Sequence, residues 1–217
     1  QQMSVGSEGA LTFLTAVADQ TVRLGSDATV TGGNVTAGNS IIATAVGNIA
    51  LGNLSAGLVA PTSGLREVAV VTGGTISTGT IAADGDIQLA ATGGITTGNV
   101  TAGDRMFAVS PGAIALGSVA IDNYLLIGGT QMFAFTGSLD IDAPGGFDAR
   151  PTFLDTTSPG AASVTTGALS SGDLRIISAG NVTVGGNVAS GGNVNINALG
   201  ASATVDLDNL TATGNVA

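Results

Sequence analysis

Three pairs of aspartates have the type and spacing to do chemistry in this 217-residue chain: Asp84 with Asp86, Asp140 with Asp142, and Asp206 with Asp208. Residues two apart on an extended strand project to one side, so each pair would present two carboxylates together. Calcium accepts such oxygens. A glycosidase needs two carboxylates about 5–10 Å apart. Neither chemistry gains further support. The GGxGxDxUx nonapeptide of calcium β-rolls is missing, and a chain with 15 acidic residues brings some pair to that distance by chance. The expectation is therefore no catalytic residue, no resident cofactor and no metal site, with the pairs on solvated corners; calcium is the ion they would suit.

The missing residue types exclude more. There is no His, Cys, Trp or Lys; all five basic residues are Arg. Ser-His-Asp and Cys-His nucleophile systems, ordinary structural zinc sites and disulfides are impossible. So are a Schiff-base lysine and a GK[ST] phosphate loop. A net charge of -10 argues against nucleic acid, whose phosphates need a basic patch. The longest apolar run, ALTFLTAVA at 10–18, is too short to span a membrane and lacks the basic flank of a signal peptide, so the chain reads as soluble and mature. Charged residues are only 9%, yet 44% are hydrophobic. That balance fits neither an ordinary soluble enzyme nor a disordered tail.

What must position these residues is a repeat. Gly38, Gly85, Gly103 and Gly172 open related units, among them GDIQLAATGGITTGNVTAG and GDLRIISAGNVTVGGNVASG. Equivalent glycines lie 18 (85 to 103), 19 (38 to 57), 20 (172 to 192) or 21 (64 to 85) residues apart, so one unit is about 20 residues. Such a unit holds two or three short strands and no useful helix. Ile87, Leu89 and Ala91 share one parity, as do Leu174 and Ile176, and Val205 and Leu207. Period two turns one face of each strand inward. One coil cannot bury that face alone, but coils stacked about 4.8 Å apart share a continuous core. The predicted fold is all-β, a parallel β-helix of about 20 residues per coil. Gly-Asn pairs such as Gly33-Asn34, Gly52-Asn53 and Gly98-Asn99 are expected at corners with positive φ, where the asparagines either serve the turn alone or also form side-chain ladders between coils.

Over residues 25–121 and 164–217 these units resemble the shaft repeats of filamentous-haemagglutinin-like exoproteins, the large secreted adhesins of Gram-negative bacteria, and are similar to autotransporter passengers. The resemblance implies a right-handed β-helix at the cell surface, exported through an outer-membrane pore. Its roles would be adhesion, biofilm formation or the display of a toxin. The Asn-Pro motifs usual in the secretion domain of that family are absent, so the resemblance is to shaft, and it brings no catalytic residues. The implied partners are a cell-surface glycan or protein receptor, or like subunits end to end; nucleic acid and a membrane span are not expected. The last residues, Gly214-Asn215-Val216-Ala217, stop inside a unit, which predicts either further coils or end-to-end stacking.

Residues 122–163 break the rhythm within an otherwise single 1–217 segment. They hold five of the seven aromatics, Tyr124, Phe133, Phe135, Phe147 and Phe153, and read as an irregular coil or loop excursion. Alternation persists from Gln131 to Asp142, so part of the stretch is an ordinary wall, while 143–163 reads as loop or irregular coil. The phenylalanines either fill a wider core or serve recognition. In the second case the residues would be Tyr124, Phe147, Asp148, Arg150, Phe153 and Asp155. Two other roles stand beside an adhesive shaft: a β-helical lyase or hydrolase, and an ice-binding solenoid using its recurrent threonines. The N-x-[ST] triplets, such as Asn34-Val-Thr, are generated by the repeat itself.

Overall fold

The computed structural model describes residues 1–57, 66–122, 124–129, 133–135, 139–141, 152–156, 164–166, 168–171, 174–178 and 180–217. Every strand pairing among them is parallel, and none of these residues is helical. The fold is a β-solenoid with three walls. The first wall is a ten-stranded sheet from Met3–Ser7 to Val194–Ala198; 18 further strands build the second and third walls. Val182–Ser190 and Val205–Ala212 run straight through the corner between those two walls and join them into one sheet.

Register in the first wall advances by nineteen residues: Met3 pairs with Val22, Val22 with Ile41, Val68 with Ile87, Ile87 with Met106 and Met106 with Leu125. The unit is thus slightly shorter than the twenty expected. Two steps are twenty-seven, Ile41 to Val68 and Leu126 to Phe153, and the last two are twenty-two, Thr152 to Leu174, and twenty, Leu174 to Val194. Because the pairing is parallel and the side-chain period is two, each inward position repeats from coil to coil as a file along the axis. Val22, Ile41, Val68, Ile87 and Met106 form one such file, each 0% exposed. Val30, Ile49, Ile76, Ile95 and Ile114 form the second wall's file, and Val35, Leu54, Ile81, Val100 and Val119 the third's, none above 1% exposed. Each buried aliphatic side chain contributes about 1.5–3 kcal/mol. β-Branched residues suit these positions because they pack on a pleated surface with little rotamer loss.

The corners depart from expectation in two ways. Among the described glycines only Gly57 has positive φ, at 78°, so the Gly-Asn corners are not left-handed turns. Nor do their asparagines mainly stack on one another. Asn34 Oδ1 accepts the backbone N–H of Asn53 at 2.9 Å, Asn53 Oδ1 that of Thr80 at 2.9 Å, and Asn99 Oδ1 that of Ser118 at 3.1 Å. The ladder runs from side chain to the next coil's backbone. A side-chain pair, Asn209 Nδ2 to Asn187 Oδ1 at 3.0 Å, follows the amide pattern expected. Glycine is needed here for clearance: a Cβ on Gly117 would stand 2.6 Å from Asn99 Oδ1.

Between the first and second walls, hydroxyls do the same work. Ser26 Oγ accepts the N–H of Ala28 at 3.0 Å and donates to the carbonyl of Gly9 at 2.6 Å. Ser110 Oγ accepts from Gly112 at 3.0 Å and donates to Gly93 at 2.7 Å. One side chain thereby closes its own turn and ties it to the coil before.

Part of 122–163 continues the walls. Tyr124–Gly129, Phe133–Phe135 and Leu139–Ile141 pair in register with the coil before them. Thr152–Thr156 is also a strand, between Tyr124–Gly129 and Leu174–Ser178, although it falls in the stretch read as loop or irregular coil. Two prolines and the glycine pair at 145–146 mask a strand pattern that parallel partners on both sides impose.

Candidate functional surface

Alternation gives each wall an outward face, and the three faces differ. The second wall presents Thr31, Ala50, Ser77, Thr96 and Ala115 in register. Threonine recurs there without forming the unbroken file that ice-binding would use. The third presents Thr36, Ser55, Ala82, Thr101 and Ala120. Both are small and hydroxyl-rich. The first wall carries larger side chains: Arg23, Ile42, Ala69, Gln88 and Phe107 follow one another outward in register, and Arg175 holds the same position further along. Two residues on, the outward position is Gly25, Thr44, Val71, Ala90 and Val109. Val71 and Val109 are 48% and 49% exposed. Small residues at this second position leave a groove of about 790 Å³, lined on the wall by Gly6, Gly25, Thr44 and Val71 and at the corner by Glu8 and Asp27.

Where the chain enters the first wall, charges cluster. Arg105 Nε lies 3.1 Å from Asp86 Oδ1 and Arg105 Nη2 lies 2.6 Å from Asp86 Oδ2, a bidentate pair across adjacent coils. Asp104 adds a carboxylate 3.6 Å from Arg105 Nε, and the guanidinium carbon stands 6.0 Å from the centre of the Phe107 ring. Hydrogen bonding by Asp86, and then its charge, raises the Arg105 pKa above its ordinary value; partial burial opposes this and Asp104 assists. One coil earlier Arg66 pairs with Asp84 through Nη1 and Oδ2 alone, with the arginine on the earlier coil. These residues and Glu67 line a cavity of about 260 Å³.

This corner corrects the expectation that Asp84 and Asp86 project together. They flank the turn at Gly85, and each is taken by a different arginine, Asp84 by one from the coil before and Asp86 by one from the coil after. Their chemistry is that of a clamp between coils. Asp206 and Asp208 do lie on one strand, Val205–Ala212, and both are exposed. Asp140 lies on Leu139–Ile141, and Asp142 lies outside the described residues. Among the described residues no three acidic side chains converge on a point where a metal ion would sit.

Of the six residues singled out for recognition, three join the first wall. Tyr124 pairs with Arg105, Phe153 sits in register between Leu126 and Arg175, and Asp155 between Gly128 and Ile177. Phe147, Asp148 and Arg150 lie outside the described residues. What sequence reasoning missed is the gathering of arginine: Arg23 and Arg175 on the first wall, Arg66 and Arg105 at its entrance, and none of the described arginines on the other walls. The signal is positional: Arg23, Arg105 and Arg175 all follow shortly after a corner and open an alternating run. The chain matches no family model, no curated protein and no solved structure.

Proposed function

We propose that this chain is a non-catalytic length of extracellular shaft from a secreted bacterial surface adhesin of the filamentous-haemagglutinin-like or autotransporter type, exported through an outer-membrane pore. The observation that supports this reading most is the register: nineteen-residue steps recur along the first wall over a core whose inward files are closed to solvent. Strand hydrogen bonds run along the axis, so the assembly resists bending and extension as a rod does. A rod of ten coils at about 4.8 Å spacing is about 45 Å long.

Recognition is assigned to the two places where a step lengthens by eight residues; the twenty-two-residue step from Thr152 to Leu174 adds only three. The extra residues enter between Leu54–Ala56 and Val68–Thr72, and between Leu139–Ile141 and Thr152–Thr156. Both fall in the chain between a third-wall strand and a first-wall strand. Insertions in repeat arrays map to one face, and binding residues concentrate on such insertions. The second insertion contains Phe147, Asp148 and Arg150, an aromatic, an acceptor and a planar donor that suit a surface glycan or a protein receptor.

The test removes residues 143–150 from the chain, which restores a nineteen-residue step, and compares retention on a glycan array and on cultured epithelial cells. The parent chain is expected to be retained, and the shortened chain to lose at least tenfold with an unchanged far-ultraviolet circular dichroism spectrum. Equal retention of the two chains, or none by the parent, rejects the reading.

A further inference from the structure

The outward face of the first wall is self-complementary, and we propose that it is the seam of a side-by-side homodimer whose two-fold axis runs parallel to the rod. In each coil that wall offers two outward positions, and the first is generally the bulkier: Arg23 against Gly25, Ile42 against Thr44, Phe107 against Val109. One rod therefore carries a ridge beside a groove, the latter about 790 Å³ and lined by Gly6, Gly25 and Thr44.

An axial two-fold keeps both rods pointing the same way and reverses the strand direction across the seam. The first outward position of one copy then meets the second outward position of the other at the same level. Ridge meets groove over the coils that line the groove, from Gly6 to Thr92. Where Ala69 is small, its counterpart Val71 is large, so the fit holds there with sizes exchanged. An isologous interface of this kind needs one surface only, and each contact occurs twice.

Charge agrees with shape. The described outward positions of this wall carry arginine at Arg23 and Arg175 and one carboxylate at Asp155, far along the rod from the groove, whose own corner carries Glu8 and Asp27. In the dimer Arg23 lies over Gly25 of the second copy, one long side chain away from that copy's Asp27. Buried area is also adequate. Nine steps of about 4.8 Å by five residues of about 3.3 Å give about 700 Å² per copy, close to the roughly 800 Å² per partner of stable complexes. Val71 and Val109, about half exposed in the single rod, would be covered. The outward files of the second and third walls are mostly Ala, Ser and Thr of one size, with Val17, Asp140 and Asp206 as exceptions. The dimer does not depend on an adhesive role, since the seam is argued from first-wall strands alone.

The test is sedimentation of the 217-residue chain from about 1 to 100 μM, with two single variants. A dimer is expected for the parent chain and for Thr96→Asp on the second wall, and at least tenfold weaker association for Val109→Asp, with all three giving the same circular dichroism spectrum. Orientation is read separately with the double variant Ala69→Cys, Val71→Cys in a chain that has no other cysteine: the axial two-fold predicts a covalent dimer on oxidation. A parent chain that stays monomeric at 100 μM, or binds only some other molecule on this wall, overturns the proposal. So does a dimer indifferent to Val109→Asp, and so does one that fails to cross-link through positions 69 and 71.

Discussion

Asn53 Oδ1 accepts the backbone N–H of Thr80 at 2.9 Å by occupying the place where a Cβ on Gly79 would stand. The two residues are a single device: glycine in one coil clears the space that asparagine from the previous coil needs to reach the backbone. The same relation holds between Asn34 and Gly52, where the Cβ would come to 2.5 Å from Oδ1.

Gly79→Ala is expected to destabilise by about 1–3 kcal/mol, the cost of overpacking plus a strained hydrogen bond. Asn53→Ala alone removes the bond and costs about 1 kcal/mol. If the pair acts as one device, the double variant costs less than the sum, because the alanine at 79 no longer meets an amide oxygen. Urea unfolding of the four proteins measures the coupling, and strict additivity would contradict the relation.

Ile87 sits in the file between Val68 and Met106 and is 0% exposed. Ile87→Ala should cost about 2–5 kcal/mol through lost burial and a cavity that neighbouring coils cannot collapse into. Thr96→Ala, on the exposed side of the second wall, should change stability by less than about 0.5 kcal/mol. The same urea titrations compare them, and a similar cost at both sites would mean that the inward and outward parities are misassigned.

Ser110 is 0% exposed and both accepts and donates at its corner. Ser110→Ala leaves the N–H of Gly112 and the carbonyl of Gly93 without that partner, so a loss of about 1–3 kcal/mol is expected. Ser110→Thr, which keeps the hydroxyl, should recover most of it; thermal melting of both variants decides.

Arg105→Met should lower the melting temperature only slightly. The side chain of Arg105 is 42% exposed and that of Asp86 17%, and ion pairs at such a surface contribute about 0–1 kcal/mol. For a chain of this size that is at most about 2–4 °C. The folded-state pKa of Arg105 is raised by Asp86, so its contribution is complete below the ordinary arginine range and disappears only as pH climbs through the higher folded value. The difference between parent and variant should therefore be the same at pH 6 and pH 9. A gap that closed between those pH values would show that Arg105 acts through some other group.

The polypeptide's own pattern was enough to specify its architecture, because a period near twenty with alternating aliphatics has one efficient way to be buried, by stacking on its own copies. Ile87, Leu89 and Ala91 could be placed inside from parity alone, and they are buried. The corners were less legible. The role of Gly79 depends on Asn53, twenty-six positions earlier, and local propensity carries no information about an atom from another coil. Equally, no spacing between Arg23, Phe107 and Arg175 suggests one surface; they share a face only because register returns each to the first wall. Composition and periodicity thus determined the solenoid, since hydrophobic burial follows local alternation, while tertiary stacking alone decided which side chains became neighbours, since adjacency along the axis joins residues a full coil apart.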